Sequence, residues 1–403
     1  MSSNLKISKR GINTPASPIR KLSPLAQAAR EQGTAVFGLN IGQPDIPSPE
    51  LYFEGIHAFT AATVAYEPSK GNAQLCAAWS KSMNRSLGTI TSPEHFVITS
   101  GASEALLYTF MSIADPGDEI LFFEPTYGNY LGFASASSVI CKAIPANFAN
   151  GFAIPAISEI EKSITEKTKA IVICNPNNPT GTVTPPAHLQ EILALCENRN
   201  LFMIVDETYR ELVYDGLEFH SVLQDSPRSK NLVIVDSLSK RFSLCGARIG
   251  CLITCNEALI ESINRFAMTR LSVSTLEQFA AAHLLEKIQG DFLEHARSEY
   301  QKRRDTLCNA LSRIDGVIFN KPHGAFYLIA KFPVKSAEEF AIFMLKDFSL
   351  DNHTTFVAPA AGFYINPGRG LDEIRIAYVL NCGDIEKAVN CLANGLVKFK
   401  LPS

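Results

Sequence analysis

The sequence predicts an α/β protein built on a mostly parallel, seven-stranded sheet with helices on both faces. The first observation is that short apolar runs alternate with helix-length segments between residues 96 and 254, which is typical of parallel strands that are buried on both faces. The second is that the helix-length segments end near Gly, Pro or Asn, the residues that stop helices. With 403 residues, the chain is also long enough for a second, smaller domain.

The apolar runs identify the seven strands of the larger domain. They cover residues 96–99, 119–123, 139–144, 170–174, 202–205, 232–235 and 249–254. Two of the helices between them are predicted at residues 104–113 and 188–198.

The rest of the chain predicts a smaller α/β unit. After residue 256 helical periodicity dominates, and the segment 291–313 is long enough to connect one domain to another. The unit that follows has strands predicted at 325–330 and 374–378, and helices predicted at 337–345 and 384–397.

The composition is that of a globular protein that handles small molecules. Hydrophobic residues make up 46% of the chain and charged residues 19%, and the formal net charge is −3. A broad basic surface is not expected, so neither nucleic acid nor an anionic membrane is a predicted partner. No apolar run approaches the ~20 residues that span a bilayer, and the amino terminus lacks the apolar segment of a signal peptide.

The cysteines give no sign of a metal site or of disulfides. The ten of them stand at scattered spacings, with no Cys-x-x-Cys pair and no histidine cluster nearby. No metal site and no disulfide framework are therefore predicted. Reduced thiols are typical of a cytoplasmic protein, which is the predicted location.

The first thirty residues are basic and contain no acidic residue. Organelle transit peptides share this composition. However, Pro15, Pro18 and Pro24 interrupt any long amphipathic helix in this segment. We expect an amino-terminal arm of the mature protein, and a targeting segment is the open alternative.

One lysine stands on a loop that is rich in serine and glycine. Lys240 follows Ser237 and Ser239, and Arg248 stands eight positions after it. A lysine amine forms a Schiff base with an aldehyde, its pKa falls when it is desolvated near another cation, and an arginine holds a phosphate with paired donors. Pyridoxal phosphate supplies both the aldehyde and the phosphate. Taken alone, the stretch also fits an ordinary exposed loop lysine.

Polar side chains follow two of the predicted strands. Asp206 ends the apolar run 201–205, and the stretch Asn-Pro-Asn-Asn-Pro-Thr-Gly, which contains Asn178, follows the run 170–174. Parallel sheets place their ligands at the carboxyl ends of their strands. Both motifs are therefore predicted to lie at a binding site.

A third motif predicts an anion cradle. Gly101, Ala102 and Ser103 follow the strand 96–99 and open a helix, whose backbone amides and positive end suit a phosphate. A plain strand-to-helix turn with Ser103 as its cap is the alternative.

With these motifs, the chain resembles the fold type I, pyridoxal-phosphate-dependent aminotransferases of class I/II, the group that includes the aspartate, alanine and aromatic enzymes. The resemblance runs from about residue 15 to residue 397. It implies that the amino-terminal arm packs with the carboxy-terminal unit. The predicted domains are 1–49 for the arm and part of the small domain, 50–289 for the large cofactor-binding domain and 290–403 for the small domain.

The resemblance assigns residues to the cofactor, pyridoxal 5′-phosphate. It implies that Lys240 carries the cofactor and acts as the catalytic base. A carboxylate at Asp206 would keep the pyridine nitrogen protonated, so that the ring accepts electrons; an aspartate that only caps a turn is the alternative. The other residues implied are Ala102, Ser103, Ser237, Ser239 and Arg248 on the phosphate, Asn178 and the catalytic Tyr209 on the phenolic oxygen, and Tyr127 on the ring face. Asn178 is also implied as a donor to the substrate carboxylate. A tyrosine of the core is the alternative for Tyr127.

Three more residues complete the predicted site. Tyr66 resembles a tyrosine that reaches the phosphate of a neighbouring subunit, which implies a homodimer. Arg375 interrupts an apolar strand, where it needs an anionic partner; a substrate α-carboxylate fits, and an internal ion pair with Glu373 or Asp372 is the alternative. Gly42 matches a glycine that lets the backbone approach the same carboxylate.

The predicted activity is the transfer of an amino group from an L-amino acid to a 2-oxo acid in ping-pong order. Aspartate or a similar donor is favoured, with 2-oxoglutarate as acceptor. A dicarboxylic substrate needs a second cation, for which Arg270 is a candidate; a solvent-facing or ion-paired arginine is the alternative there. An aromatic or alanine donor stays open, and so does a β-lyase on the same fold.

Overall fold

The computed structural model describes residues 5–400, which form three sheets surrounded by helices. The α-helices in this range are α1 Lys9–Asn13, α2 Ser23–Glu31, α3 Glu50–His57, α4 Ala73–Leu87, α5 Gly101–Ile113, α6 Asn129–Ala136, α7 Ile157–Glu161, α8 Pro186–Asn198, α9 Val222–Asp225, α10 Glu257–Arg270, α11 Thr275–Lys287, α12 Gly290–Leu311, α13 Ala337–Lys346 and α14 Cys382–Lys400. The strands are β1 Ala35–Gly38, β2 Phe96–Ser100, β3 Glu119–Glu124, β4 Ile140–Pro145, β5 Thr168–Cys174, β6 Phe202–Asp206, β7 Leu232–Ser237, β8 Ile249–Ile253, β9 Ile318–Phe319, β10 Tyr327–Lys331, β11 His353–Phe356, β12 Ala358–Pro359 and β13 Glu373–Ala377.

The largest sheet has seven strands in the order β2-β8-β7-β6-β5-β3-β4. Strand β8 runs antiparallel to both of its neighbours, and the other pairs are parallel. The predicted mostly parallel, seven-stranded sheet is therefore confirmed. Strand β7 extends to Ser237, beyond the predicted end at 235, because the backbone pairing continues through polar residues that an apolar pattern does not mark.

Successive residues of each central strand point to opposite faces of this sheet. In β5, Ala170 and Val172 join one hydrophobic cluster, whereas Ile171 and Ile173 join another. Helices cover both faces, so both sets of side chains are buried. Because both faces are buried, the strand sequences are continuous apolar runs and do not alternate between apolar and polar residues.

The strand directions bring several loops to one edge of the sheet. Strand β2 is antiparallel to β8, which is antiparallel to β7, so β2 runs in the same direction as β5, β6 and β7. The carboxyl ends of these four strands, and the beginning of β8, therefore share an edge. The predicted motifs that contain Ala102, Asn178, Asp206, Ser237 and Arg248 stand at this edge.

Two smaller sheets connect distant parts of the chain. Strands β12-β13-β10-β9 form an antiparallel sheet, and β1 pairs in parallel with β11. Strand β10 begins at Tyr327 rather than at the predicted 325, because Ala325 has a left-handed backbone with φ of 54°. The domain limits 1–49, 50–289 and 290–403 stay a prediction. No helix among residues 5–400 is long and apolar enough to cross a membrane.

Candidate active site

A cavity of about 590 Å³ lies at the edge where the strand ends meet. Segments from both ends of the chain enclose it, because its walls include Gly42 as well as Arg375. The predicted site residues that line it are Gly42, Ala102, Ser103, Tyr127, Asn178, Asp206, Tyr209, Ser237, Ser239, Lys240, Arg248 and Arg375.

The amine of Lys240 projects into this cavity. Its Nζ donates a hydrogen bond to the carbonyl oxygen of Gly42 at 2.9 Å and lies 3.6 Å from Sγ of Cys245. Burial lowers the pKa of Lys240; Cys245 opposes that shift, whereas the charges of Arg375 and Arg248 reinforce it. A lowered pKa gives a larger fraction of neutral amine, which is the nucleophilic and basic form.

Asp206 is buried at the end of β6 and has three hydrogen-bond donors. Its Oδ1 accepts from the backbone amide and the hydroxyl of Thr208 at 3.1 and 2.5 Å, and its Oδ2 accepts from the Tyr130 hydroxyl at 2.7 Å. Burial raises the pKa of Asp206, and these hydrogen bonds oppose the rise. Oδ1 caps the following turn, as in the alternative of an aspartate that only caps a turn. The carboxylate also lines the cavity.

No cation is paired with Asp206 among the residues that the structure describes. A carboxylate accepts about four hydrogen bonds, and three are present here. An ionised acid that is buried without a cation is destabilising unless a ligand supplies one. The cavity therefore suits a ligand with a cationic donor atom at this end.

A second group of donors forms an open anion site. Helix α5 begins at Gly101, and its N-cap residue Ser100 makes no side-chain cap, so the first amides, including that of Ser103, have no acceptor within the helix. Arg248 donates to the carbonyl oxygen of Ser100 at 3.2 Å. Because the helix begins before Ser103, Ser103 is not its cap.

Glycine suits the position where the helix meets Arg248. Gly101 has a positive φ of 74°, which glycine adopts without strain, and a Cβ there would meet the guanidinium of Arg248. On the other side, the hydroxyl of Ser237 donates to that of Ser239 at 2.9 Å, and both side chains line the cavity. The amides, hydroxyls and guanidinium together fit a phosphate.

Arg375 is fully buried in β13 and holds two hydrogen bonds. Its Nη1 donates to Oδ1 of Asn178 at 3.1 Å, and its Nη2 donates to the carbonyl oxygen of Asn40. Its Nε has no partner among residues 5–400. The guanidinium stacks over the rings of Tyr327 and Phe363, at 4.5 and 4.8 Å from their centroids.

The ion-pair alternative for Arg375 is wrong. Glu373 and Asp372 lie beside Lys331, at 3.7 and 3.9 Å, and not beside Arg375. Burial lowers the pKa of Arg375, and the neighbouring Tyr327, Tyr209 and Tyr127 oppose that shift. A substrate carboxylate would supply an anionic partner.

Tyrosines form the remaining wall. The hydroxyl of Tyr209 accepts a hydrogen bond from Nδ2 of Asn178 at 3.3 Å and lies 3.0 Å from the hydroxyl of Tyr327. The ring of Tyr127 meets that of Tyr130 edge to face, with centroids 5.3 Å apart. Tyr127, Tyr209 and Asn178 line the same cavity as Asp206.

Comparisons with known proteins decide the family. The family described as Aminotransferase class I and II has a model that matches residues 34–392. The chain belongs to this family. It is an aminotransferase, and enzymes of this family use pyridoxal 5′-phosphate.

Individual relatives agree with this membership. The chain is 32% identical over 374 residues to a probable aspartate/prephenate aminotransferase of Aquifex aeolicus, covering 91% of this chain and 92% of that one. It is 31% identical over 327 residues to an aspartate aminotransferase of Thermotoga maritima, covering 81% and 85%. The structure matches a Thermus thermophilus aspartate aminotransferase double mutant with a TM-score of 0.88 at 27% identity, covering 97% and 100%.

Two residues that the sequence singled out lie away from the cavity of this aminotransferase. Tyr66 is 80% exposed, so its predicted contact with a neighbouring subunit stays a prediction. Arg270 is ion-paired with Glu104 at 3.3 Å and donates to the carbonyl oxygens of Ser69 and Ile98. The ion-paired alternative is therefore what the structure has, and Arg270 does not line the cavity.

Several cavity residues of the aminotransferase were not predicted. Thr208 stands two positions after Asp206, a spacing typical of Asx turns that could have identified it. The other unpredicted lining residues are Ser17, Ile19, Arg20, Ile41, Gln43, Leu106, Asn129, Cys174, Cys245, Gly246 and Tyr327. Most of them stand within a few positions of a predicted site residue, whereas Ser17, Ile19, Arg20 and Tyr327 belong to segments for which no site was predicted.

Replacing Gly42 with alanine tests how tightly this wall is packed. A Cβ at Gly42 would collide with the side chain of Tyr327, and overpacking of this kind lowers the free energy of unfolding by about 1–3 kcal/mol. Gly38→Ala is the matched control, because a Cβ there meets only Oδ1 of Asn40 at 3.8 Å. Urea denaturation should separate the two variants; equal midpoints would contradict the proposed packing.

Proposed function

We propose that this aminotransferase binds pyridoxal 5′-phosphate in the cavity and transfers the amino group of a dicarboxylic L-amino acid, aspartate or a close analogue, to a 2-oxo acid such as 2-oxoglutarate. The observation that carries the proposal is the pairing of a buried carboxylate that lacks a cation, Asp206, with a desolvated amine, Lys240, in one cavity. The open anion site at α5 supports it independently.

The donor set fits the cofactor group by group. The phosphate would lie against the amides of Ala102 and Ser103, the hydroxyls of Ser237 and Ser239, and Arg248. Asp206 would hold the protonated pyridine nitrogen, Asn178 and Tyr209 the phenolic oxygen, and Tyr127 the ring face. When bound, pyridoxal phosphate supplies an aldehyde for an amine and a ring that accepts electrons from the substrate Cα.

Lys240 would serve as the attachment point and as the base. Its lowered pKa favours the neutral amine, which reacts with an aldehyde near neutral pH. Once free, the same Nζ would accept the proton of the substrate Cα and return it during transfer. Its hydrogen bond to the carbonyl oxygen of Gly42 orients the amine towards the wall where the substrate carboxylate would bind.

Arg375 would orient the substrate through its α-carboxylate. Asn178 and Asn40 hold its guanidinium in place, and no carboxylate is paired with it in the described part of the chain. Because the guanidinium is held on a strand, the carboxylate is fixed relative to Lys240. Such positioning lets the Cα–H bond stand where Nζ can accept its proton.

The choice of a dicarboxylic donor is supported by the names of relatives. The Thermotoga maritima relative and the matched Thermus thermophilus structure are aspartate aminotransferases. The fold alone does not select the donor, because an alanine aminotransferase from Pyrococcus furiosus matches with the same TM-score of 0.88, at 28% identity. A homodimer in which Tyr66 reaches the neighbouring subunit belongs to the same proposal.

A half-reaction screen tests the proposed function. The purified protein is loaded with pyridoxal phosphate and mixed with single L-amino acids, without any 2-oxo acid. We expect aspartate or glutamate to convert the bound pyridoxal absorbance into that of pyridoxamine phosphate faster than alanine or phenylalanine does. Conversion by phenylalanine and none by aspartate would contradict the donor assignment. Release of pyruvate and ammonia from cysteine or cystathionine would instead select the β-lyase alternative.

A further inference from the structure

A fourth cation lines the cavity and has no task in the proposed chemistry. Among residues 5–400, the cationic side chains of the lining are Arg20, Lys240, Arg248 and Arg375, and Asp206 is its one carboxylate. Lys240 is assigned to the cofactor aldehyde, Arg248 to its phosphate and Arg375 to the substrate α-carboxylate. Arg20 remains, and its side chain is exposed at the cavity wall.

The backbone next to Arg20 is held in place. A Cβ on Gly128 or on Gly362 would collide with the ring of Pro18, so this proline is wedged between two glycine surfaces. The carbonyl oxygen of Ile19 accepts a hydrogen bond from Nδ2 of Asn40 at 2.9 Å. The segment is therefore anchored immediately before Arg20.

The same anchor connects Arg20 to the proposed carboxylate site. Asn40 holds the carbonyl oxygen of Ile19 with its side chain, and its own carbonyl oxygen accepts from Nη2 of Arg375. Burial raises the pKa of Tyr127, and the charges of Arg375 and Arg20 both oppose that rise. Both guanidinium groups thus act on the Tyr127 wall of the cavity.

Arg20 differs from its neighbour in having no ion pair. Lys21 is bound to Glu338 at 2.5 Å and does not line the cavity. In the described part of the chain, the guanidinium of Arg20 has no acidic partner and donates no hydrogen bond. A guanidinium binds a carboxylate through two parallel hydrogen bonds, so an anion at this wall would find unused donors.

We infer that Arg20 binds the side-chain carboxylate of a dicarboxylic substrate while Arg375 binds its α-carboxylate. The inference rests on the proposed function and identifies the residue that binds the second carboxylate of its substrate. A monocarboxylic amino acid would leave Arg20 solvated at the mouth, which is tolerable for an exposed charge. Arg20 would therefore set a preference for dicarboxylic substrates over alanine.

The test compares Arg20→Gln and Arg20→Lys with the neighbouring control Lys21→Gln. In the pyridoxal-phosphate-loaded enzyme, we expect Arg20→Gln to lower the ratio of kcat/KM for aspartate to that for alanine by about 10- to 100-fold, the range of a charged hydrogen bond. Arg20→Lys keeps the charge but not the paired donors, so its ratio should be intermediate. Lys21→Gln should keep the wild-type ratio.

A binding measurement gives a second, independent readout. Titration calorimetry with succinate and butyrate, which have the same chain length, should show that Arg20→Gln weakens succinate binding at least about tenfold and leaves butyrate binding unchanged. An equal loss for aspartate and alanine, or a ratio equal to that of Lys21→Gln, would overturn the inference. Failure of the proposed function would give a different result, because the wild-type enzyme would then accept no amino acid. The comparison of succinate with butyrate would still measure whether Arg20 binds a second carboxylate.

Discussion

Replacing Lys240 with alanine is expected to reduce amino transfer by about 10⁴-fold or more, because the variant loses both the proposed attachment point and the base. Noncovalent contacts from the anion site and Asp206 remain, so we expect the variant to bind pyridoxal phosphate more weakly but detectably. Single-turnover kinetics with aspartate and equilibrium dialysis of the cofactor measure the two effects.

The matched control is Lys162→Ala, because Lys162 lies on the surface in an ion pair with Glu159. Circular dichroism and thermal unfolding of both variants check that the fold is intact. Wild-type turnover in Lys240→Ala would falsify the role assigned to this lysine. Equal losses in both variants would point to a general defect instead.

Replacing Asp206 with asparagine is expected to lower kcat by about 10²- to 10³-fold, the usual effect of removing one preorganised electrostatic contact. The amide has nearly the shape of the carboxylate but cannot stabilise a charged pyridine nitrogen. In addition, its NH2 group would replace one of the two oxygens and would face either the donors of Thr208 or the hydroxyl of Tyr130. Rapid mixing of the loaded variant with aspartate measures the rate.

The same variant has an opposite effect on the stability of the cofactor-free protein. Burial raises the pKa of Asp206 in the folded state. The folded state therefore holds the carboxyl proton more tightly than the unfolded state does. The free energy of unfolding falls as the pH rises from the unfolded-state pKa of this carboxyl through its higher folded-state pKa. A neutral asparagine removes this loss. We expect cofactor-free Asp206→Asn to be at least as stable as the wild type at neutral pH, and pyridoxal phosphate to raise its Tm by less.

The control for this substitution is Asp225→Asn, because Asp225 is exposed and pairs with His220 at 2.6 Å. It should retain the wild-type kcat and the full Tm increase on cofactor binding. A wild-type kcat in Asp206→Asn, or an undiminished Tm increase, would contradict the assignment of Asp206 to the pyridine nitrogen.

The residues at the sheet edge were predictable because the end of a buried strand is recognisable in the sequence. An apolar run followed at once by a polar residue identifies both a buried strand and the place where a ligand binds. Asp206 and Ser237 end strands β6 and β7, and Asn178 follows β5. The resemblance then supplied roles that spacing alone does not give.

Arg20 could not be predicted because its position depends on contacts with remote segments. In the sequence it is one of several basic residues in the arm. Only the folded chain shows that Pro18 wedges between Gly128 and Gly362 and that Asn40 links this segment to Arg375. No periodicity in the first thirty residues encodes these contacts.

Arg270 was a predicted candidate that does not line the cavity. Its charge made it a candidate for a distal carboxylate, and its position near the end of α10 agreed with the predicted helix. Which neighbour it meets depends on how α10 packs against α5, and there Glu104 pairs with it at 3.3 Å. A charge on one helix does not identify the residue that another helix presents to it.

The most direct test of the account is the site of covalent attachment of the cofactor. Borohydride reduction makes a lysine–pyridoxal linkage permanent, and mass spectrometry of the digested protein then locates it. We expect one phosphopyridoxyl group per chain, on the peptide that contains Lys240, and none after the Lys240→Ala substitution. A label on a different lysine, or no label in a protein that still transfers amino groups, would contradict it.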